Sequence, residues 1–335
     1  MKYFLPIFLF VLSINSLSNA QGYQIQTQLE SAPNKEIYLA HYYIGNIFID
    51  DTLQLDAGGS GILKGDSLLH QGLYKIYLDD KNHFDFLLGA DQTFSISNKT
   101  FATNLIQVND AGESEEFVKY MGFLNNLKKE GAELKEKLKN ASADEKSKIK
   151  NQLEELTPSL HQYWKRIENE FPNSFLAKFL MSNNVPKLDE SALPDEILQN
   201  DSLLLLARFK YQQKHFWENF DYTDERFLYT PLLKPKMETW FTKVLYQNYD
   251  SVRPQVFEFI ENVRPQKRIF QFATSFFLNS SINSNIMGMD ALFVDLAKTY
   301  YLSGEAFWAT DESLKKIKEN VLFFESNLIG KVAPN

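Results

Sequence analysis

The sequence contains no cysteine in 335 residues. That excludes disulfides, thiolate metal sites and any thiol chemistry carried by the chain itself. A protein of this size without disulfides must stand on its hydrophobic core. Histidine is nearly as scarce, with five residues, His41, His70, His83, His161 and His215. Clustered positive charge is also missing. The net charge is −8, and the lysine-rich stretch from Lys128 to Lys150 is interleaved with glutamate, the pattern of a solvated helix face. An acidic chain without a basic patch excludes nucleic acid and anionic membrane as partners. The Gly-x-Ser-x-Gly elbow, the phosphate-binding loop and the dinucleotide fingerprint are all absent, and Gly59-Ser60-Gly61 is a glycine turn between strands.

What is present begins with an export signal. Lys2 supplies a positive head, Tyr3 to Ile14 are almost wholly apolar, and Ser18-Asn19-Ala20 puts small residues where signal peptidase reads, so residues 1–20 are expected to be cleaved. The apolar run is too short for a comfortable membrane span, and no cysteine follows it, which argues against a lipoprotein anchor. No stable membrane anchor is expected, and the expected location is the periplasm or cell envelope.

Residues 21–109 read as β structure. Tyr23–Leu29 alternates apolar and polar, and Glu36–Tyr43, Ile47–Leu55, Ile62-Leu63, Gly72–Leu78, His83–Leu88 and Gln92–Ser97 follow between Gly, Asp and Asn turns. About seven or eight short strands at this spacing predict an antiparallel sandwich-like domain. Near Asp110 the composition turns to Glu, Lys and Leu. Phe117, Tyr120, Leu124, Leu127, Gly131, Leu134 and Leu138 form one apolar stripe, and Ile149, Leu153, Leu156, Leu160, Trp164, Ile167 and Phe171 form a second. Asn140-Ala141 separates them, Ser142 and Glu145 make a capping box, and the pair predicts an αα-hairpin whose second helix is bent or split at Pro158. Short helices follow, with Pro235, Pro254 and Pro265 read as first-turn prolines. Residues 110–326 are thus expected to be an all-α domain, and the fold class is α+β.

Candidate sites are few. His215 and Glu218 lie one helical turn apart, but two ligands do not close a metal site. His41 and His83 could face each other across strands. In the acidic knot Asp221, Asp224 and Glu225, Thr223 is expected to cap a helix and Arg226 to pair with Asp221. Calcium is excluded because the alternating ligands and bend glycine are absent. Met287-Gly288-Met289 is expected to pack as adaptable core with a special dihedral at Gly288 rather than to hold copper. The tryptophans and phenylalanines of the helical half are mainly core, and any partner surface would be drawn from Phe216, Trp217, Trp240, Phe307 and Trp308. No catalytic, cofactor or metal residue is assigned.

Two blocks carry more than periodicity. They are Phe216–Lys236, FWENFDYTDERFLYTPLLKPK, and Ile286–Trp308, IMGMDALFVDLAKTYYLSGEAFW. They resemble a helical domain of unknown function that lies upstream of the thioredoxin-like domain in exported TlpA-type (AhpC/TSA-related) thiol:disulfide reductases. In the β half, Ile37–Ala40, Asp51-Thr52, Gly61–Gly65, Gly72–Tyr74 and Asp91–Phe94 are similar to the small β domain that begins the same proteins. The final stretch, Ile329-Gly-Lys-Val-Ala-Pro-Asn335, resembles the lead-in to the thioredoxin-like domain, so residues 327–335 are expected to be a linker. The resemblance implies a non-catalytic accessory region that positions protein clients for a thioredoxin-like domain in cis. The family's redox Cys-x-x-Cys belongs to that further domain and maps onto no residue here. The competing expectation is a standalone envelope module that binds a peptide or glycan in an open aromatic groove.

Overall fold

The computed structural model describes residues 22–328. The expected signal segment and nearly all of the expected linker lie outside the described residues. Within them the class is α+β, with eight strands followed by ten α-helices and several single turns of other helix types.

The strands form two four-stranded sheets. One has the order β4-β1-β7-β8, built from Ser60–Lys64, Gln24–Leu29, Thr93–Asn98 and Gln107–Asn109. The other is β3-β2-β5-β6, built from Asn46–Gln54, Glu36–Tyr43, Gly72–Tyr77 and His83–Leu88. The alternation that predicts β1 is realised as Ile25, Thr27 and Leu29 pointing inward while Gln24 and Gln26 face solvent. The two sheets enclose Ile25, Leu29, Ile37, Leu39, Tyr74, Ile76, Phe86, Phe94 and Ile96. The arrangement departs from the purely antiparallel expectation at one place, where β1 and β7 run parallel in register Gln24–Leu29 against Thr93–Asn98. Strands so distant in sequence are joined by a crossover through the second sheet, which leaves local alternation unchanged and invisible to it.

The polypeptide turns to helix at α1, Gly112–Asn140, which pairs with α2, Ala143–Glu170. The Glu145 carboxylate accepts from the backbone N–H of Ser142, the glutamate half of the capping box, and also from the Ser142 hydroxyl. Gly131 explains the tight approach of the pair, since a Cβ there would stand 3.2 Å from the Leu156 side chain. Of the bend or split expected at Pro158, the split does not occur, and α2 runs through that residue as one helix. Its apolar stripe continues through Leu160, Trp164 and Ile167 onto the core, and this packing outweighs the single backbone bond that proline removes.

The shorter helices are α3 Phe175–Met181, α4 Asp195–Leu198, α5 Asp201–His215, α6 Leu233–Thr239, α7 Tyr249–Val263, α8 Lys267–Ile282, α9 Met289–Leu296 and α10 Asp311–Asn327. Pro235 lies in a first turn, but Pro254 is inside α7 and Pro265 precedes α8. α7 tolerates its proline because Val252, Val256, Phe259, Ile260 and Val263 anchor it on both sides of that residue. Both α6 and α9 end in π turns, Trp240–Val244 and Ala297–Tyr301. Thr310 caps α10 by accepting from the Ser313 N–H at 3.2 Å. Gly288 is left-handed at φ 88°, and of its neighbours only Met289 joins the core, while Met287 is exposed. Among the described residues no helix is long and apolar enough to cross a membrane.

The two halves are clamped together by the 3-10 turn Glu225–Tyr229. The Ile44 N–H donates to the Leu228 carbonyl at 2.8 Å, and Arg226 Nη1 donates to Gln71 Oε1 at 3.0 Å. Leu73 and Leu87 of the second sheet belong to the helical core rather than to the sandwich interior. At α1 the Ser114 hydroxyl donates to the Leu87 carbonyl at 2.6 Å.

Candidate functional site

The residues nominated from sequence do not assemble into one surface. Trp240 is buried, packed edge-on or tilted among Trp217, Phe259 and Phe277. Phe216 and Trp217 turn their rings toward Lys236, whose Nζ lies 4.7 Å and 5.6 Å from their centroids and 5.2 Å from that of Phe220. Burial lowers the Lys236 amine below its ordinary value, and the π faces supply the partial negative charge that holds it there. Phe307 is exposed and meets Trp308 edge-on at 4.9 Å, but Trp308 packs inward on Phe270 and Tyr301. Trp217 and Trp308 border separate hollows.

The other sequence candidates resolve locally. His215 pairs with Glu218 and stacks on Tyr211 at 4.2 Å. His41 and His83 do not face each other: His41 is opposite Phe48 and Tyr74, and His83 is opposite Tyr77. Asp224, not Thr223, caps the 225–229 turn, accepting from the Arg226 N–H at 3.1 Å, and Arg226 pairs with Asp224 rather than Asp221. The Thr223 hydroxyl instead donates to Asp221 Oδ1 at 2.6 Å, and the Asp224 carboxylate accepts from the Arg226 guanidinium at 2.9 and 2.6 Å. Lys178 joins Asp221 and Asp224 at 2.8 and 2.9 Å. Among the described residues no group of three or more His, Asp or Glu side chains is placed to hold a metal ion.

A hollow of about 780 Å³ lies beside this network. Its cation Lys178 is already matched by two carboxylates, so its charge is spent within the protein. A second cleft of about 560 Å³ opens between the domains and differs in this respect. Its walls come from Leu68, Leu69, His70 and Gln71 before β5, Ala90 and Gln92 before β7, the 225–229 turn, and Arg268 at the start of α8. This position fits the tendency of ligand sites to form where domains meet.

The cleft is built on fixed parts. Gln92 is buried, and its amide both accepts from the Leu69 N–H and donates to the Leu69 carbonyl, each at 2.8 Å. The Tyr74 hydroxyl donates to the His70 carbonyl at 2.9 Å. The His70 ring stacks on Tyr229 at 4.5 Å, with His41 on the same tyrosine at 5.5 Å. Behind them His41 Nδ1 is 2.7 Å from Asp50 Oδ2. Arg268 reaches over this stack, with Nη1 2.8 Å from His70 Nε2 and donating to the Tyr229 hydroxyl at 2.6 Å. Its backbone N–H donates to Glu225 Oε1 at 3.0 Å.

Electrostatics follow from that geometry. Burial, then the neighbouring Arg268, hold the His70 imidazole below its ordinary value, so it is neutral near pH 7 and its Nε2 accepts from the guanidinium. Burial pushes the Tyr229 phenol up to about 12, so it stays protonated. The lining offers no serine, threonine or cysteine as a nucleophile. The arrangement is suited to holding a ligand, with a fixed positive fork above an aromatic floor. Sequence reasoning missed it because its residues are nearly 200 positions apart, and the lone signal available was the clustering of His70-Gln71-Gly72 before a strand.

Comparison of the chain with protein-family models, with curated proteins and with solved structures finds no match.

Proposed function

We propose that the chain is a non-catalytic accessory region of an exported thiol:disulfide oxidoreductase of the TlpA type, holding protein clients for a thioredoxin-like domain. The observation that carries the reading is a rigid, charged inter-domain cleft in a chain that has no sulfur nucleophile of its own. Thiol–disulfide exchange needs a thiolate, so any redox step must be supplied by another domain. The resemblance of residues 216–236 and 286–308 to the helical domain of those reductases is what favours a thioredoxin-like domain in that role. The test joins this chain in frame ahead of a thioredoxin-like domain and compares disulfide reduction of a folded client with that of the thioredoxin-like domain alone. A lower KM at unchanged kcat is expected, because the accessory part adds binding and no chemistry. Reduction of insulin disulfides by this chain alone would overturn the reading.

A second reading, a freestanding peptide- or glycan-binding module of the cell envelope, draws on one observation. The outer face of the second sheet carries a hollow of about 430 Å³ walled by Tyr38, Tyr42, Tyr77, Ile47 and Ile49, with both isoleucines exposed. It predicts binding by the isolated chain that is lost on Ile49→Asp and is indifferent to any attached domain.

A further inference from the structure

We propose that the inter-domain cleft is a carboxylate-binding site in which Arg268 is the anchoring residue, and that it takes the carboxylate end of a short extended peptide. The proposal rests on the scaffold reading for the peptide nature of the ligand, but not for the ligating chemistry.

The first observation is a comparison among the arginines. Arg166, Arg208, Arg226, Arg253 and Arg264 each lie within ion-pair distance of a carboxylate. Arg268 alone has none among the described residues, although it borders the cleft. The second is its orientation. One nitrogen, Nη1, is committed to His70 and Tyr229, which fixes the plane of the guanidinium. Nε and Nη2 make no hydrogen bond within the described protein, and those two N–H groups lie along one edge of the fork. A planar carboxylate matches such an edge with two parallel bonds.

Charge decides between anions. Arg226 and Arg268 face the cleft with Glu225, and His70 is neutral, so with Arg226 set aside the cleft's own charges are Arg268 and Glu225, which balance. Arg226 is already neutralised by Asp224. A single available guanidinium with Glu225 close by suits a monoanion and penalises a phosphate dianion. The shape decides the rest. Leu68, Leu69 and Ala90 add an apolar wall beside the fork, and about 560 Å³ accommodates a few residues rather than a single small acid. Neutral His70 completes the floor, stacked on Tyr229 at 4.5 Å.

The probes are acetyl-Ala-Ala-Leu with a free C-terminal carboxylate, the same peptide as its amide, succinate, and inorganic phosphate, titrated calorimetrically into the chain at pH 7 and low salt. The free-acid peptide is expected to bind at least tenfold more tightly than the amide. Arg268→Gln should abolish that tenfold preference, Arg268→Lys should restore part of it, and Arg208→Gln, remote from the cleft, should leave it unchanged. Thermal melts of each variant separate loss of binding from loss of fold. Succinate binding as tightly as the peptide would keep the carboxylate site but assign it to a free small acid. Equal binding of acid and amide, preference for phosphate, or a preference that survives Arg268→Gln overturns the proposal. Overturning it leaves the accessory role standing if the fused thioredoxin-like domain still gains in KM.

Discussion

Gly72→Ala puts the junction of the two domains to a direct test. Gly72 begins β5 and is buried against the clamp turn. A Cβ at this position would lie 2.4 Å from the Tyr229 Cβ and 2.7 Å from its carbonyl oxygen. Both contacts are with backbone or a backbone-proximal atom, so no rotamer change relieves them. Ordinary van der Waals separation requires the strand and the turn to part by about 1 Å. Parting them loosens the Ile44–Leu228 and Arg226–Gln71 bonds and moves Tyr229, the floor of the cleft. Overpacking of this kind costs about 1–3 kcal/mol, and disturbed interface bonds place the expected loss near the upper end, about 2–3 kcal/mol. Urea denaturation should therefore show a lower midpoint at an unchanged slope. Gly122→Ala is the matched control, because it lies within α1 and a Cβ there meets nothing within 4 Å. It should gain about 0.5–1 kcal/mol. If Gly72→Ala loses less than about 0.5 kcal/mol, the tight junction inferred between the domains is wrong.

Other substitutions probe the packing and the ion pairs. Trp240→Ala should cost about 3–5 kcal/mol in chemical denaturation, whereas Phe307→Ala should stay within about 0.5 kcal/mol, since one ring is core and the other is exposed. Asp224→Asn removes the carboxylate shared by Arg226 and Lys178. Burial raises the Asp224 carboxyl, but those hydrogen-bonded cations prevail and bring it down to about 2. Its contribution is thus full above the ordinary aspartate range and fades as pH falls toward about 2. After discounting for solvent screening we expect Asp224→Asn to lose roughly 1–2 kcal/mol at pH 7 and the difference from the parent to vanish on acidification. Glu116 behaves alike: burial pushes its carboxyl up, while Arg166, Tyr163 and Lys119 together hold it below its ordinary value. Glu116→Gln should lower the melting temperature at pH 7 and flatten the acid limb of the stability curve below the glutamate range.

Much of the fold was legible because it is written in local periodicity. The alternation in Tyr23–Leu29 and the stripes from Phe117 to Phe171 are set by which face turns inward, and the structure buries the strand face and the base of the stripes at Phe117, Tyr120, Trp164 and Ile167 while leaving most of the rest half-buried. The Ser142–Glu145 cap was legible for the same reason, being a contact across three residues. The parallel pairing of β1 with β7 was not, because no local pattern records which distant strand fills a sheet edge. Pro254 misled because proline marks a helix start only where packing does not compensate for it. The cleft was hidden for a further reason. His70 and Arg268 each look ordinary in sequence, and their meaning arises from a contact across 198 positions. Phe216 and Trp217, expected mainly as core, place their rings against Lys236 of the same chain, a contact that no local pattern records.

The helical hairpin has one more implication. Each of its arms, 29 and 28 residues long, extends about 40 Å. Between Met121 and Tyr163, among the described side chains, only Gly131 and Leu134 are buried. The outer half of the arm is therefore secured by a single leucine seam and carries a small share of the global unfolding free energy. Amide hydrogens there should exchange well before those of the sandwich, and limited proteolysis should cut first around Asn140. A partner that grasped that tip could rotate or melt it while leaving the body, and the cleft at its far end, undisturbed.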